Sequence, residues 1–248
     1  MAELLLQARD ITVRFGGLTA VDAVSADFHA GELVGIIGPN GAGKTTFFNA
    51  ISGVIAPTSG QLLAGGKNLS GKGPHRYAAA GIARTFQTPR VFPDMTVEAN
   101  IGFGLKFAGR HRAGAWQLRD EGSILGLIGL AAQAALPAGA ITPSQQRLLE
   151  IGMALATRPR LLLLDEVAAG LTESEIENMA LLIRRMRDEL GLTVVWIEHA
   201  VTTLLRHVER VIVLHQGRKI ADGPPAEVVR DAGVIEAYLG DEMTESVA

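Results

Sequence analysis

The nine residues GPNGAGKTT, at 38–46, constrain the fold of this chain more than any other stretch. The residues before them, Leu33 to Ile37, read LVGII and predict a short buried strand, and the residues from Lys44 onward suit a helix. A glycine-rich turn between a strand and a helix start directs several backbone N–H groups into one concavity, where they attract anions. The segment therefore predicts an α/β arrangement with an anion site at the turn.

The spacing Gly38-x-x-x-x-Gly43-Lys44-Thr45 matches the P-loop at every defined position. In this pattern backbone amides surround phosphates, the lysine reaches the outer phosphates, and the hydroxyl can hold Mg²⁺. A glycine-rich turn that binds nothing is the alternative, and the matched flanks argue against it. We predict a nucleotide site formed by the whole loop: Gly38, Pro39, Asn40, Gly41, Ala42, Gly43, Lys44, Thr45 and Thr46.

A second constraint is the sequence LLLLDE at 161–166. The four leucines predict a buried strand, with Asp165 and Glu166 at its carboxyl end. Beside a P-loop, Asp165 is placed to hold the Mg²⁺ shell, and Glu166 is placed to orient or deprotonate the attacking water. An acidic pair that merely ends a hydrophobic strand is the alternative. Together with the P-loop, the pair predicts nucleotide hydrolysis.

Two more polar residues follow predicted strands. His199 comes after the strand predicted at Thr193–Ile197, and Gln87 comes directly after the strand predicted at Ile82–Phe86. Because ligands gather at the carboxyl ends of parallel strands, His199 can sense a γ-phosphate there. The Gln87 amide can bond a Mg²⁺ ligand or the attacking water. Taken alone, each residue also fits an ordinary surface, core or loop position.

Strands and helices alternate along the chain. Strands are predicted at 4–15, about 21–37 with a turn at Gly31, 61–64, 82–86, 161–164 and 193–197, and a hairpin at 210–214 and 218–221. Helices are predicted after the P-loop, over most of 96–138, at 173–190 and from Pro224-Pro225 onward. The alternation predicts a mostly parallel sheet covered on both faces, with the early strands in a separate antiparallel layer.

Composition excludes several classes of function. A chain of 248 residues is long enough for one domain with its own core, and a net charge of −3 gives no electrostatic footprint for nucleic acid. The absence of cysteine excludes disulfides and thiolate chemistry. The first ten residues, MAELLLQARD, lack a basic segment followed by a long apolar run, so we expect no secretion signal.

One uncharged stretch, 122–145, has to be weighed as a membrane span. It contains Gln133, Pro137 and many small residues, and its clean apolar run is far shorter than the roughly 20 residues that a span requires. We therefore expect a buried or partner-facing helix with a Gly/Pro-rich exit. Any work at a membrane would then require a partner.

In this order the motifs resemble one family, the nucleotide-binding subunits of ABC transporters, over essentially the whole chain. The resemblance implies a single domain spanning 1–248: a P-loop NTPase core of the ABC ATPase type, with an N-terminal antiparallel β layer and a helical subdomain at about 96–150. It also implies a set of roles: adenine stacking by Phe15, Mg²⁺ binding by Thr45, Gln87 and Asp165, a signature segment at 141–146, a D-loop near 169–172, catalysis by Glu166, and a γ-phosphate switch at His199.

Finer features are similar to the ATPases of branched-chain amino-acid importers: RFGGLTAV, RTFQTPRVFPDMTVEAN, LLLLDEVAAGL and the C-terminal VIEAYLG. This resemblance implies a peripheral subunit on the cytoplasmic side of the bacterial inner membrane that hydrolyses ATP with Mg²⁺. Its implied partners are transmembrane permease subunits, a second ABC ATPase subunit and, indirectly, a solute-binding protein. The segment Thr88–Met95, with Phe92 and two prolines, is expected to face the permease.

The signature segment departs from the family pattern. It reads Ile141-Thr142-Pro143-Ser144-Gln145, without the two usual glycines. These residue types still predict a helix start, because Thr142 can cap it, Pro143 suits its first position and Gln145 completes a capping box. The resemblance implies that Thr142, Ser144 and Gln145 contact the γ-phosphate held by an opposite subunit. We expect the ATP site that uses this signature to be slower than the site on this chain's own P-loop.

Three alternatives stay open at this point. A related urea or amide importer has very similar ATPases, so the substrate rests on similarity alone. A catalytically weak regulatory ABC subunit is favoured by the altered signature and opposed by Glu166 and His199. A soluble ABC ATPase of repair or translation would usually carry coiled-coil insertions or a second ATPase domain, and neither is visible in 248 residues.

Overall fold

The computed structural model describes residues 2–106, 118, 120–198 and 201–245, with side chains as far as Tyr238. In these ranges the strands are β1 (Leu4–Phe15), β2 (Leu18–His29), β3 (Leu33–Ile37), β4 (Ser59–Ala64), β5 (Lys67–Asn68), β6 (Ile82–Arg84), β7 (Leu161–Asp165), β8 (Thr193–Ile197), β9 (Arg210–His215) and β10 (Arg218–Gly223). They form two sheets, one of four strands and one of six.

The four-stranded sheet has the order β2-β1-β4-β5, and each pair of neighbours is antiparallel. The six-stranded sheet has the order β10-β9-β3-β8-β7-β6, in which only β9 and β10 pair antiparallel. Strands β3, β7 and β8 are buried along their whole length, as expected for the centre of a parallel sheet covered on both faces. The predicted mostly parallel sheet and separate antiparallel layer are both confirmed.

The helices in the described ranges are α1 (Lys44–Ile51), α2 (Pro74–Ala79), α3 (Val97–Lys106), α4 (Glu121–Leu127), α5 (Pro143–Ala156), α6 (Glu173–Leu190), α7 (Val201–His207), α8 (Pro225–Val228) and α9 (Ala232–Glu245). The ends of α6 follow from its sequence. Thr172 and Glu175 form a capping box at the start, and Gly191 ends the helix in the left-handed conformation, with φ of 60°.

Successive residues of the central strands pack alternately into two hydrophobic cores, one on each face of the six-stranded sheet. On β3, Val34 and Ile36 face the core shared with the antiparallel layer, whereas Leu33 and Ile37 face the core beneath the helices. The same alternation divides the four leucines of β7 between the two cores. The six-stranded sheet is therefore the middle layer, and the P-loop leaves it at the carboxyl end of β3.

Three predicted elements differ from the structure. The stretch 96–138 is α-helical at 97–106 and 121–127, and its residues 107–117 and 119 lie outside the described residues. Strand β6 ends at Arg84 rather than Phe86, because the Phe86 amide turns toward the side chain of Glu150. The helix predicted from Pro224-Pro225 onward is two helices, α8 and α9. Helix α8 is four residues long, and the Asp231 side chain then accepts a hydrogen bond from the Val234 amide at the start of α9.

The uncharged stretch at 122–145 forms most of α4, two short 3₁₀ turns at 131–133 and 138–140, and the start of α5. Helix α4 packs beside α3 and α5, and Ile124 and Leu125 lie in the core beneath the helices. In the described ranges, no helix combines the length and the apolar character needed to cross a bilayer. The limits of a helical subdomain at about 96–150 stay a prediction.

Candidate nucleotide site

The P-loop adopts a backbone that requires glycine at its last turn. Gly43 precedes α1 in the left-handed region, with φ of 94°, and a Cβ atom there would lie 2.4 Å from the carbonyl oxygen of Ala20. The bond from Phe47 N to Gly43 O, at 2.8 Å, is a first-turn bond of α1. The amides of Lys44, Thr45 and Thr46 precede that bond and have no partner further back in the helix, so the loop forms an anion cradle.

A cavity of about 660 Å³ opens in front of this cradle. Its size suits a nucleotide-sized ligand. The loop residues 40–46 line one side. The other walls come from the β1–β2 hairpin, the end of β7 and the β9–β10 turn: Phe15, Leu18, Thr19, Ala20, Glu166, Gln216 and Gly217. Phe15 lies at the rim with half of its surface exposed, so its ring is available for stacking.

Lys44 lies against the loop from which it comes. Its ammonium donates to the carbonyl oxygens of Gly38 at 2.6 Å and Pro39 at 2.9 Å, and the residue is 6% exposed. Burial lowers the pKa of Lys44 from its ordinary value, and the negative charge of Glu166 opposes that shift. Gly38 and Pro39 thus hold the lysine, whereas the residues that follow them line the cavity.

Glu166 is the first residue after strand β7, and it lines the cavity. Its φ of 49° is uncommon for a side chain larger than glycine, and such a conformation costs about 1–3 kcal/mol. The Glu166 amide donates to the carbonyl oxygen of Ile197 at 3.0 Å, which fixes this backbone beside the end of β8. Its side chain accepts a 2.6 Å hydrogen bond from Nε2 of Gln87. The carboxylate is therefore held at the cavity wall by groups from the ends of the two neighbouring strands.

Asp165 is not among the residues that line the cavity, and its side chain contacts Arg84, a residue to which the sequence alone gave no role. Arg84 Nη2 donates to Asp165 Oδ2 at 2.8 Å, and both side chains are at most 10% exposed. Burial raises the pKa of Asp165, and the Arg84 guanidinium opposes that rise. Burial also lowers the pKa of Arg84, with Asp165 acting in the opposite direction.

Arg84 also connects strand β6 to helix α1. Its Nη1 donates to Asn49 Oδ1 at 2.7 Å and to Ser52 Oγ at 2.8 Å. Its guanidinium lies 5.3 Å from the ring centre of Phe48 and 4.6 Å from that of Phe86. The sequence signal for this role was a lone arginine in the strand predicted at 82–86.

The residues predicted to bind Mg²⁺ carry the type of ligand atom that this ion prefers. Thr45 lines the cavity, and the three residues predicted to serve the metal, Thr45, Gln87 and Asp165, all offer oxygen atoms, which Mg²⁺ prefers. Among the described residues, no cluster of three or more His, Cys, Asp or Glu side chains could hold a metal ion by itself. Mg²⁺ is usually bound by one or two carboxylates together with substrate phosphates, so phosphate oxygens would complete its coordination here.

The altered signature forms the helix start that its residues predict. Thr142 Oγ1 accepts from the Gln145 amide at 3.2 Å, Gln145 Oε1 accepts from the Thr142 amide at 3.0 Å, and Pro143 is the first residue of α5. The predicted capping box is confirmed. Ser144 lines a different groove, beside Leu148, and none of Thr142, Ser144 and Gln145 lines the P-loop cavity.

His199, the predicted γ-phosphate switch, lies outside the described residues. The residue before it, Glu198, is 3% exposed and accepts hydrogen bonds from the Ala168 amide at 2.6 Å and from the Trp196 indole at 3.2 Å. Glu198 thus ties the end of β8 to the loop after Glu166. The switch role stays a prediction.

The turn between β9 and β10 forms a cavity wall that sequence analysis missed. The Gly217 amide donates to Ala42 O at 3.0 Å, and Asp22 donates from its amide to Gly217 O at 2.8 Å. Gln216, beside it, has a φ of 46°. The signal in the sequence was a Gln-Gly hairpin turn, which indicates a tight turn but not what the turn packs against.

A P-loop at the end of β3, a carboxylate pair at the end of β7 on the far side of β8, and an antiparallel β layer define an ATP-binding cassette ATPase. The similarity of the chain to known protein families agrees with this class. A family described as "ABC transporter" matches residues 21–169, and one described as "Branched-chain amino acid ATP-binding cassette transporter" matches residues 218–244. This chain belongs to the ABC transporter ATP-binding family.

One relative is the high-affinity branched-chain amino acid transport ATP-binding protein BraF of Pseudomonas aeruginosa, with 36% identity over 97% of this chain and 100% of BraF. The ATP-binding cassette MJ1267 in its ADP conformation superposes with a TM-score of 0.82 at 30% identity, covering 96% of this chain and 99% of that one. A dimeric post-hydrolysis state of the cassette MJ0796 with ADP and Pi gives 0.77 at 25% identity, covering 89% and 99%.

Proposed function

We propose that this chain is the ATP-hydrolysing subunit of a membrane importer for branched-chain amino acids. The observation that carries the hydrolytic part is that Glu166 and Lys44 line one cavity, with the carboxylate held in place by Gln87. The substrate class is supported by the match at 218–244 and by the full-length similarity to BraF.

In this proposal the cavity binds ATP with its base at the rim and its phosphates in the cradle. Phe15 stacks on the adenine ring. Lys44 exchanges the carbonyl oxygens of Gly38 and Pro39 for phosphate oxygens, and that exchange favours its charged form. When bound, Mg²⁺ would supply charge neutralisation at the phosphates. Thr45 lines the cavity and would hold it there, whereas Asp165 and Gln87 would do so after turning from their partners Arg84 and Glu166.

The chemical step uses Glu166. Its carboxylate accepts a hydrogen bond from a water molecule, which orients the water toward the γ-phosphorus and allows the carboxylate to take a proton. Gln87 donates to one of the two carboxylate oxygens, and we propose that this bond orients the carboxylate toward the water. His199 is proposed to contact the γ-phosphate from the end of β8.

The signature segment is proposed to act on a second ABC ATPase subunit. Thr142, Ser144 and Gln145 lie outside this chain's own P-loop cavity, so they can reach a γ-phosphate only across a dimer. The first amide of α5 is missing because of Pro143, and Ser144 adds a side chain where glycine is usual. We therefore propose two unequal ATP sites, of which the one on this chain's P-loop is faster.

The surface proposed to meet the permease subunits lies around Thr88–Met95. Phe92 in this segment and Phe103 on α3 are each 40% exposed, and their ring centres are 4.9 Å apart in an edge-to-face contact. Asn100 holds the segment by accepting from the Phe92 amide at 2.8 Å and donating to Phe92 O at 3.1 Å. This rigid aromatic pair suits an apolar groove of a permease at the cytoplasmic side of the inner membrane, with a solute-binding protein on the other side.

The test is purification of the tagged chain from its native membrane, with identification of its partners and an ATPase assay. We expect permease subunits, a second ATPase and turnover that falls at least 100-fold in Glu166→Gln. Glu189→Gln is the matched control, because this exposed carboxylate pairs only with Arg185 across one helical turn in the described contacts. A urea-binding protein in the complex would change the substrate class, and a chain isolated without a permease would refute the importer.

A further inference from the structure

Helix α5 carries a buried carboxylate that the proposed chemistry does not use. Glu150 is 6% exposed, yet it lies in the middle of a helix whose neighbouring residues are apolar. A carboxylate in such a place is costly unless hydrogen bonds satisfy it. Its partners therefore indicate what it does.

Both oxygens of Glu150 accept from the backbone of the loop after β6. Oε1 accepts from the Arg90 amide at 3.0 Å, and Oε2 accepts from the Phe86 amide at 3.3 Å. The two amides flank Gln87, whose own side chain donates to Glu166. One carboxylate on α5 thus holds the two ends of the short segment that brings Gln87 to Glu166.

Burial and the neighbouring polar groups act on the pKa of Glu150 in opposite directions. Burial raises its pKa to about 7, while the amides of Arg90 and Phe86 and the positive charges of Arg90 and Arg84 act against the rise. Arg84 belongs to β6 and Arg90 to the loop after it, so the positive charges that act on Glu150 come from that strand and from the segment that Glu150 binds. The two residues whose amides bind Glu150 also contact each other, since the Arg90 guanidinium lies 3.9 Å from the centre of the Phe86 ring.

Helix α5 also holds the loop after β7. Arg147, one turn before Glu150, donates from Nη1 to Val167 O at 3.1 Å and to Ala169 O. The helix that begins at the signature therefore contacts the loop after β7 through a guanidinium on backbone carbonyls, and the loop after β6 through a carboxylate on backbone amides.

We propose that Glu150 is a positioning residue that fixes the loop 86–90 so that the Gln87 amide reaches Glu166, and thereby links α5 to the hydrolytic carboxylate. This inference rests on the proposed ATPase function and extends it to a residue that makes no contact with the cavity. A shift of α5 relative to the sheet would pull on the amides at both ends of the segment and change the distance between Gln87 and Glu166.

The variant Glu150→Gln separates the effect of side-chain size from the effect of the second acceptor oxygen. Glu150→Gln keeps the size of the side chain but has one acceptor oxygen instead of two, so its amide group faces one of the two backbone N–H donors. One of the two attachments is then lost, and the loop end at Phe86 or Arg90 is released. The P-loop and Lys44 are untouched by this change.

The experiment uses the intact complex with its permease and measures kcat and the KM for ATP. We expect Glu150→Gln to lower kcat about tenfold with KM within about twofold, because a misplaced catalytic group loses rate without losing ground-state binding. Glu189→Gln is expected to change neither constant. A kcat equal to that of the wild type would overturn the proposal, and so would parallel changes in kcat and in the folded fraction.

A double-mutant cycle with Gln87→Ala tests the route of the effect. If Glu150 acts through Gln87, adding Glu150→Gln to Gln87→Ala lowers kcat by less than twofold further. Fully multiplicative losses would overturn the proposal, since they would show an independent role. Inactive wild-type complex would instead refute the proposed ATPase, and active wild-type complex with unaffected Glu150 variants would refute this inference alone.

Discussion

Gln87 Nε2 lies 2.6 Å from Glu166 Oε2, although the two residues are 79 positions apart in the chain. The contact follows from the sheet order. Strands β6 and β7 are neighbours and parallel, so the residues that follow them emerge at the same edge. Two side chains predicted for separate roles, one toward Mg²⁺ and one toward water, are therefore joined by a hydrogen bond.

Replacement of Gln87 by alanine is expected to slow hydrolysis without preventing nucleotide binding. The carboxylate of Glu166 would lose its fixed orientation, and we expect kcat to fall about tenfold. Titration with a fluorescent ATP analogue should give an affinity within about threefold of the wild type, because the P-loop is unchanged. A large loss of affinity with normal kcat would contradict this account and assign Gln87 to binding.

Removal of Arg84 is expected to destabilise the fold more than any surface arginine would. Arg84→Ala leaves Asp165 buried without its partner and also breaks the bonds to Asn49 and Ser52, so we expect a loss of about 3–5 kcal/mol in the free energy of unfolding. Denaturant titration measures it. Arg185→Ala, which breaks an exposed pair with Glu189, should cost far less, because solvent screens that pair.

A double variant checks the cause of that loss. Combining Arg84→Met with Asp165→Asn removes the charge that would be left unpaired, so it should recover a large part of the stability. An additive loss in the double variant would show that packing of Arg84 between Phe48 and Phe86 matters more than its charge.

Some of this site could be read from the sequence because its signals are local. The run before the P-loop is buried on every residue of β3, and the four leucines of β7 are too, so continuous apolar composition located the central strands. The capping box at Thr142 and Gln145 lies within four residues and was found for the same reason.

The remainder depends on contacts that no local pattern encodes. Arg84 and Asp165 are 81 positions apart, and Gly217 reaches Ala42 across most of the chain. Glu150 has an unremarkable place in the helical repeat of α5, and only the path of the loop after β6 gives it partners. Such residues follow from sheet order and loop path rather than from motif spacing.

Glycine should be required at 43 for a steric reason and at 41 for a conformational one. Both have positive φ, 94° and 74°, but a Cβ at Gly43 would lie 2.4 Å from Ala20 O, whereas at Gly41 no atom lies within 4 Å. Gly41→Ala should cost about 1–2 kcal/mol in unfolding free energy, the usual cost of the left-handed region. Gly43→Ala should cost more, because the β1–β2 hairpin must also move. Equal losses in thermal unfolding would contradict the steric account.

The two ATP sites of the assembled complex should differ in turnover. Lys44→Ala disables the site on this chain's P-loop and should remove most of the activity, whereas the matching substitution in the partner ATPase should remove less. Adding Ser144→Gly to Lys44→Ala should raise the residual turnover, because it clears the side chain at the position where glycine is usual. Equal losses from the two lysine variants in a steady-state assay would refute the asymmetry.

Glu150 should make stability depend on pH in a window set by its own ionisation. Its pKa is about 7 in the folded chain against an ordinary 4.5. Between these values the folded protein holds more protons than the unfolded one, so this contribution to stability is present in full below about pH 4.5 and is lost as pH rises through about 7.

Glu150→Gln cannot ionise, so the unfolding free energy of the variant minus that of the wild type should rise between pH 5.5 and pH 8, by on the order of 1–2 kcal/mol. Chemical denaturation of both proteins at the two pH values measures this difference, and the contributions of all other titrating groups cancel in it. Glu189→Gln serves as the control, since its exposed carboxylate should leave the difference flat. A difference for Glu150→Gln that stays flat or falls with pH would mean that the carboxylate is charged at both pH values, held by the amides of Phe86 and Arg90 strongly enough to offset its burial.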